Sequence, residues 1–74
     1  MPPHQLGTIV RSTRRGLALS QAQLAGATGV GLRFLIELER GKPTAHVGKA
    51  LAVLDALGCR IDISPPAPRR RDGL

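Results

Sequence analysis

The sequence predicts an all-α fold of four short helices followed by one short β-strand. Three observations carry that expectation. Apolar residues recur at helical spacing in stretches punctuated by Gly16, Gly29 and Gly41. Ser20 and Gln23 have the spacing of a capping box. CRIDIS, Cys59 to Ser64, is the stretch that alternates apolar with polar residues as a half-buried strand does.

Leu6, Ile9, Val10 and Thr13 fall at i, i+3, i+4 and i+7, which predicts a first helix from near His4 to Arg15, ended by Gly16. A second starts where the Ser20 oxygen takes an orphan backbone N–H and Gln23 reaches back, and it runs over about Gln21 to Ala27. After Gly29, Leu35 and Leu38 flanked by charged residues predict a third helix from about Leu32 to Arg40, stopped by Gly41 and Pro43. Thr44 is the expected N-cap of a fourth, whose Val47, Ala50, Leu51, Leu54 and Leu57 repeat up to Gly58. The expected division is a helical domain at 1–58, a β-strand at 59–64 and a disordered basic tail at 65–74. That tail, PPAPRRRDGL, combines prolines and a charge run with no apolar period.

A chain of 74 residues makes one small domain. At this size only about 60% of the unfolded surface is buried, so a second subunit is an expected support. One cysteine is too few for a disulfide framework or a metal site, and no cofactor is expected. No apolar run approaches the roughly 18 residues of a membrane span, and the start, MPPHQLGTIVR, lacks the order of a signal peptide. The expectation is a cytoplasmic protein with no membrane partner. Eleven Lys and Arg against five Asp and Glu give a net charge of +6, which favours a polyanion such as nucleic acid. With no Trp or Tyr and one Phe, the chain lacks the repeated aromatic faces on which single strands stack. No nucleophile lies beside a base, so an enzyme is not expected.

Ala25, Gly29 and Val30, with Leu24, Leu35 and Leu38, have the spacing of a helix-turn-helix. Two helices that cross steeply need a small residue at the contact, which Ala25 supplies. The short turn needs a left-handed residue, which Gly29 supplies without steric cost. Val30 then folds under the turn, and the three leucines face the first and fourth helices. The other side of the third helix is left free for a groove.

Through LSQAQLAGATGV and the ELERGK that closes the third helix, the chain resembles the lambda-repressor-like (Cro/C1, XRE) DNA-binding domains over about Leu6 to Gly58. Within that family, RFLIELERGKPT followed by one helix and a terminal strand looks most like HipB-type antitoxins, partners of HipA-type kinase toxins. The resemblance implies a compact four-helix domain that binds palindromic operator DNA as a homodimer. It also implies roles for residues. Gln21 takes the place of a contact to a phosphate or base edge, and Leu32, Arg33 and Glu37 take outward positions on the recognition helix. Arg33 could fork onto a guanine and Leu32 touch a thymine methyl. Arg40 and Lys42 match the positions that clamp the backbone, and Arg14 and Glu39 those of a partly buried ion pair. Gly31, Leu32, Phe34 and Ile36 depart from the polar residues common among relatives.

Plainer alternatives stand beside these roles. Phe34 is either core packing or a DNA contact, Glu37 either reads DNA or orients Arg33 or Arg40, and Gln21 could simply start its helix. In CRIDIS, Cys59, Ile61 and Ile63 share a face, yet the chain has no second strand, so pairing with the same strand of another copy is expected. For the whole chain the leading expectation is a transcriptional autorepressor and HipB-like antitoxin. The alternatives are a protein-interaction module with incidental DNA binding, or a stand-alone repressor.

Overall fold

The computed structural model describes residues 3–60, and in them the chain forms four helices and no strand. These are α1 (Pro3–Gly16), α2 (Gln21–Thr28), α3 (Leu32–Glu39) and α4 (Val47–Ala56). Helix α3 packs on α1 and α2, and α4 packs on α2. One core joins them: Val10 of α1, Leu24 and Ala25 of α2, Val30 of the turn, Leu35 and Leu38 of α3, and Val53, Leu54 and Leu57 from α4 and its end. The all-α expectation holds. Cys59 and Arg60 have no regular structure, while Ile61, Ile63 and the rest of the expected strand and tail lie outside the described residues.

Helix α1 buries a face slightly rotated from the one its apolar residues suggest, with Leu6 still packed against the core. Val10 is fully buried, but Ile9 is 36% exposed, and Gly7 and Arg14 are the other buried positions. The reason is backbone contact. A Cβ on Gly7 would strike the carbonyl oxygen of Leu38 and lie 2.8 Å from that of Glu39, so α1 rests directly on the end of α3 there. That contact centres the buried stripe on residues 7, 10 and 14, a helical repeat.

Gly16 is the last residue of α1, yet the left-handed position after it belongs to Ala18, at φ 58°. The N–H of Leu19 donates to Arg14 O at 3.1 Å, closing the turn. An L-residue in this conformation costs about 1 to 2 kcal/mol, a cost glycine avoids, although glycine also loses more freedom on folding. Ala18→Gly is therefore expected to raise stability by roughly 0.5 to 1 kcal/mol, read from its urea midpoint.

The capping box forms as its residues require. Gln23 N–H donates to Ser20 Oγ at 3.0 Å, and Ser20 N–H donates to Gln23 Oε1 at 2.7 Å. Gly29 ends α2 at φ 72°, its N–H donating to Ala25 O at 2.8 Å. With Ala25, Val30, Leu24, Leu35 and Leu38 all buried, the turn is built as the spacing implies.

Helix α4 starts later than expected. His46, not Thr44, is its N-cap; the Thr44 hydroxyl instead accepts from His46 N–H at 2.9 Å, bracing the loop before the helix. Its buried face is Ala50, Val53, Leu54 and Leu57. Val47 and Leu51, expected inward, are 62% and 45% exposed.

Candidate nucleic-acid interface

The candidate interface is organised around a carboxylate that is almost out of sight. Glu39, the last residue of α3, has a side chain only 3% exposed and faces Arg14 in the final turn of α1. Arg14 grips it with a two-pronged fork, Nε to Oε2 at 2.7 Å and Nη2 to Oε1 at 3.0 Å. Its third nitrogen, Nη1, donates to Leu19 O at 2.7 Å, across the turn that Ala18 makes. The hydrogen bonds that Arg14 donates to Glu39 hold its guanidinium above its ordinary pKa; burial opposes this and the carboxylate's charge adds to it. Arg14, as an arginine, keeps its charge at any ordinary pH.

Gln21 joins the same group. As the first residue of α2 it donates from Nε2 to Glu39 Oε1 at 3.1 Å, so one carboxylate ties α1, α2 and α3. The family resemblance implies a DNA contact for Gln21, with a plain helix-start role as the alternative. In the structure it is half-buried with its amide nitrogen committed to Glu39, which orients the side chain from the protein side.

On α3 the outward residues are Leu32, Arg33, Ile36, Glu37 and, at its cap, Arg40, a set that recurs at helical spacing along one face. Leu32 and Arg40 are exposed, and the Arg33 side chain is 88% exposed. Glu37 lies between two cations: its Oε2 is 3.5 Å from Arg33 Nε and 3.4 Å from Lys42 Nζ. Such surface pairs contribute at most about 1 kcal/mol, so their importance is geometric. Glu37 is thereby paired with Arg33 and Lys42, where the sequence offered Arg33 or Arg40 as a partner beside a DNA-reading role.

Phe34 turns the other way. It is half-buried against the core, with its ring 6.2 Å from that of His46 in an edge-on arrangement and Lys49 Nζ 5.6 Å from its centre. This contact braces the start of α4 against α3. Sequence reasoning passed over Gly7, although a glycine inside an amphipathic helix was a usable sign of close backbone approach. Cys59 is half-buried against the core, and its N–H donates to Leu54 O at 2.9 Å.

Among the described residues no helix is long and apolar enough to cross a membrane. The sequence family described as Helix-turn-helix matches residues 10–64. A protein of Sinorhizobium fredii (strain NBRC 101917 / NGR234), named as an uncharacterized HTH-type transcriptional regulator, y4mF, is 54% identical over 69 residues that cover 93% of this chain and 91% of that protein. With Ala25 buried in the core, the left-handed turn at Gly29 and an α3 whose outer face is open, this chain belongs to the Cro/C1-type helix-turn-helix family.

Proposed function

We propose that this chain is a transcriptional repressor that lays α3 in the major groove of duplex DNA. The observation that carries this is the exposed Arg33, held by Glu37 on a helix whose opposite side is locked into the core. A guanidinium so placed can fork onto a guanine edge, with Leu32 beside it for a thymine methyl. Lys42, exposed in the loop after α3, and Arg40 would bind the backbone. The likeness to a protein named as a transcriptional regulator supports the same role.

The test is a duplex selected from a random pool, titrated beside a scrambled one at several salt concentrations. Arg33→Ala is expected to lose about 1 to 3 kcal/mol on the selected duplex and to relax preference at one base pair, while Lys42→Ala weakens both duplexes alike and flattens the salt slope by about one unit. Equal losses on both duplexes for Arg33→Ala would remove it from the base-reading residues.

In its finer form the proposal is an autorepressor that acts as the HipB-like antitoxin of a HipA-type kinase, homodimeric on a palindromic operator. Two features support it: the alternating pattern of CRIDIS, which as a strand would need a partner, and the exposed Val47 and Leu51 on α4. Strand pairing across a two-fold axis would set two recognition helices about one DNA turn apart. Ile61→Pro is then expected to give a monomer with preserved helix content and much weaker operator binding. Ultracentrifugation showing that variant still dimeric rejects the intermolecular strand. A HipA-like kinase encoded by the adjacent reading frame and co-purifying with the chain tests the antitoxin role. A chain that binds a protein partner but no duplex would instead be an interaction module.

A further inference from the structure

We propose that Arg11, Arg15 and Arg40 form a site for the backbone phosphates of duplex DNA, beside the base-facing residues of α3 and separate from Lys42. This site rests on the DNA-binding role proposed above. A cleft of about 450 Å³ opens where α1, the start of α2 and the end of α3 meet. Among the described residues its walls carry four arginines, Arg11, Arg14, Arg15 and Arg40, and a single carboxylate, Glu39.

The charge count decides what the cleft can hold. Four guanidinium groups and one carboxylate leave 4 − 1 = +3. That carboxylate is already occupied, taking two bonds from Arg14 and one from Gln21. Arg11, Arg15 and Arg40 are exposed, and among the described residues none forms an ion pair within 4.0 Å. Like charges around a concave surface repel one another and raise the local potential, and an anion between them relieves both. Arginine forks fit phosphate oxygens, and Arg11 and Arg15, four residues apart, lie on one face of α1.

The cleft's position favours a DNA backbone over a free anion. Ile36 and Arg40 each follow their predecessor by one helical turn on the outward face of α3, beginning at Leu32, and both also line the cleft. A duplex seated along α3 therefore carries one strand across the cleft mouth. Arg11 and Arg15 would grip that strand from outside the helix-turn-helix itself.

The experiment pairs an Arg11→Gln, Arg15→Gln double variant with the parent chain on the selected and scrambled duplexes, the fold being checked by thermal melting. The double variant is expected to weaken both duplexes by the same factor and to flatten the slope of log K against log salt by about 1.8 units, at 0.9 per phosphate contact. As a measurement free of any folding effect, the parent is titrated with duplexes carrying one uncharged methylphosphonate at each position flanking the half-site. At least one such position should weaken the parent and leave the double variant unchanged. A double variant with the parent's slope, a loss confined to the selected duplex, or insensitivity of the parent to every flanking methylphosphonate overturns the site. So does pyrophosphate binding to the parent that is lost in the double variant while duplex binding is kept. If the parent binds no duplex in a salt-dependent way, the DNA-binding role fails, and the site fails with it.

Discussion

Glu39→Ala is expected to lose about 3 to 5 kcal/mol of folding stability, against less than about 1 kcal/mol for Glu37→Ala two residues earlier. The contrast follows from where the partners lie. Removing Glu39 leaves Arg14, 8% exposed and permanently charged, with Leu19 O as its one remaining acceptor. It also frees the Gln21 amide from its contact with α3. Removing Glu37 frees two cations that water already reaches. A domain of this length is stable by roughly 4 to 11 kcal/mol, at 0.05 to 0.15 per residue, so the Glu39 variant should sit near its folding threshold at room temperature. Urea unfolding followed by circular dichroism gives both midpoints. Equal midpoints would show that the three-helix brace contributes little.

Gly7→Ala is expected to destabilise by about 1 to 3 kcal/mol even though alanine is the better helix former. The added methyl would press on the backbone carbonyls of Leu38 and Glu39, and backbone cannot rotate away as a side-chain end can. Helix α1 would have to lift from α3, stretching the Arg14–Glu39 fork about two turns further along the same face. Gly48→Ala is the matched comparison. Gly48 also lies within a helix, but a Cβ there meets nothing within 4 Å, so the propensity gain of up to about 1 kcal/mol should appear as added stability. Opposite signs for the two substitutions are the expected result. If both stabilise, α1 does not rest on α3 as closely as the structure has it.

What the sequence made legible was local. Ser20 and Gln23 lie three residues apart, and Gly29 follows Ala25 by four, so the cap and the turn could be read within a single helical turn of chain. Contacts between distant segments were not legible from spacing. Arg14 and Glu39 stand 25 residues apart, and only the family resemblance suggested pairing them. The burial of Gly7 in place of Ile9 escaped because apolar periodicity records side chains, and the contact at Gly7 is made by backbone. Thr44 misled because one hydroxyl can cap a helix or a turn. Which N–H it accepts depends on how the loop is held, here with His46 against Phe34. The arginine cleft needed the same kind of information: three of its arginines cluster in sequence, but folding brings Arg40 to them.

The bonds from Arg14 and Gln21 to Glu39 also bear on binding kinetics. Because they fix α3 relative to α1 and α2 in the free chain, the recognition helix is held in place before DNA arrives, which reduces the binding free energy consumed in ordering it. Encounter with a duplex is then governed by diffusion, orientation and charge. Substitutions at uncharged outward positions such as Leu32 should consequently shorten the lifetime of the complex and leave its rate of formation almost unchanged, whereas loss of an exposed cation such as Arg33 should also slow formation.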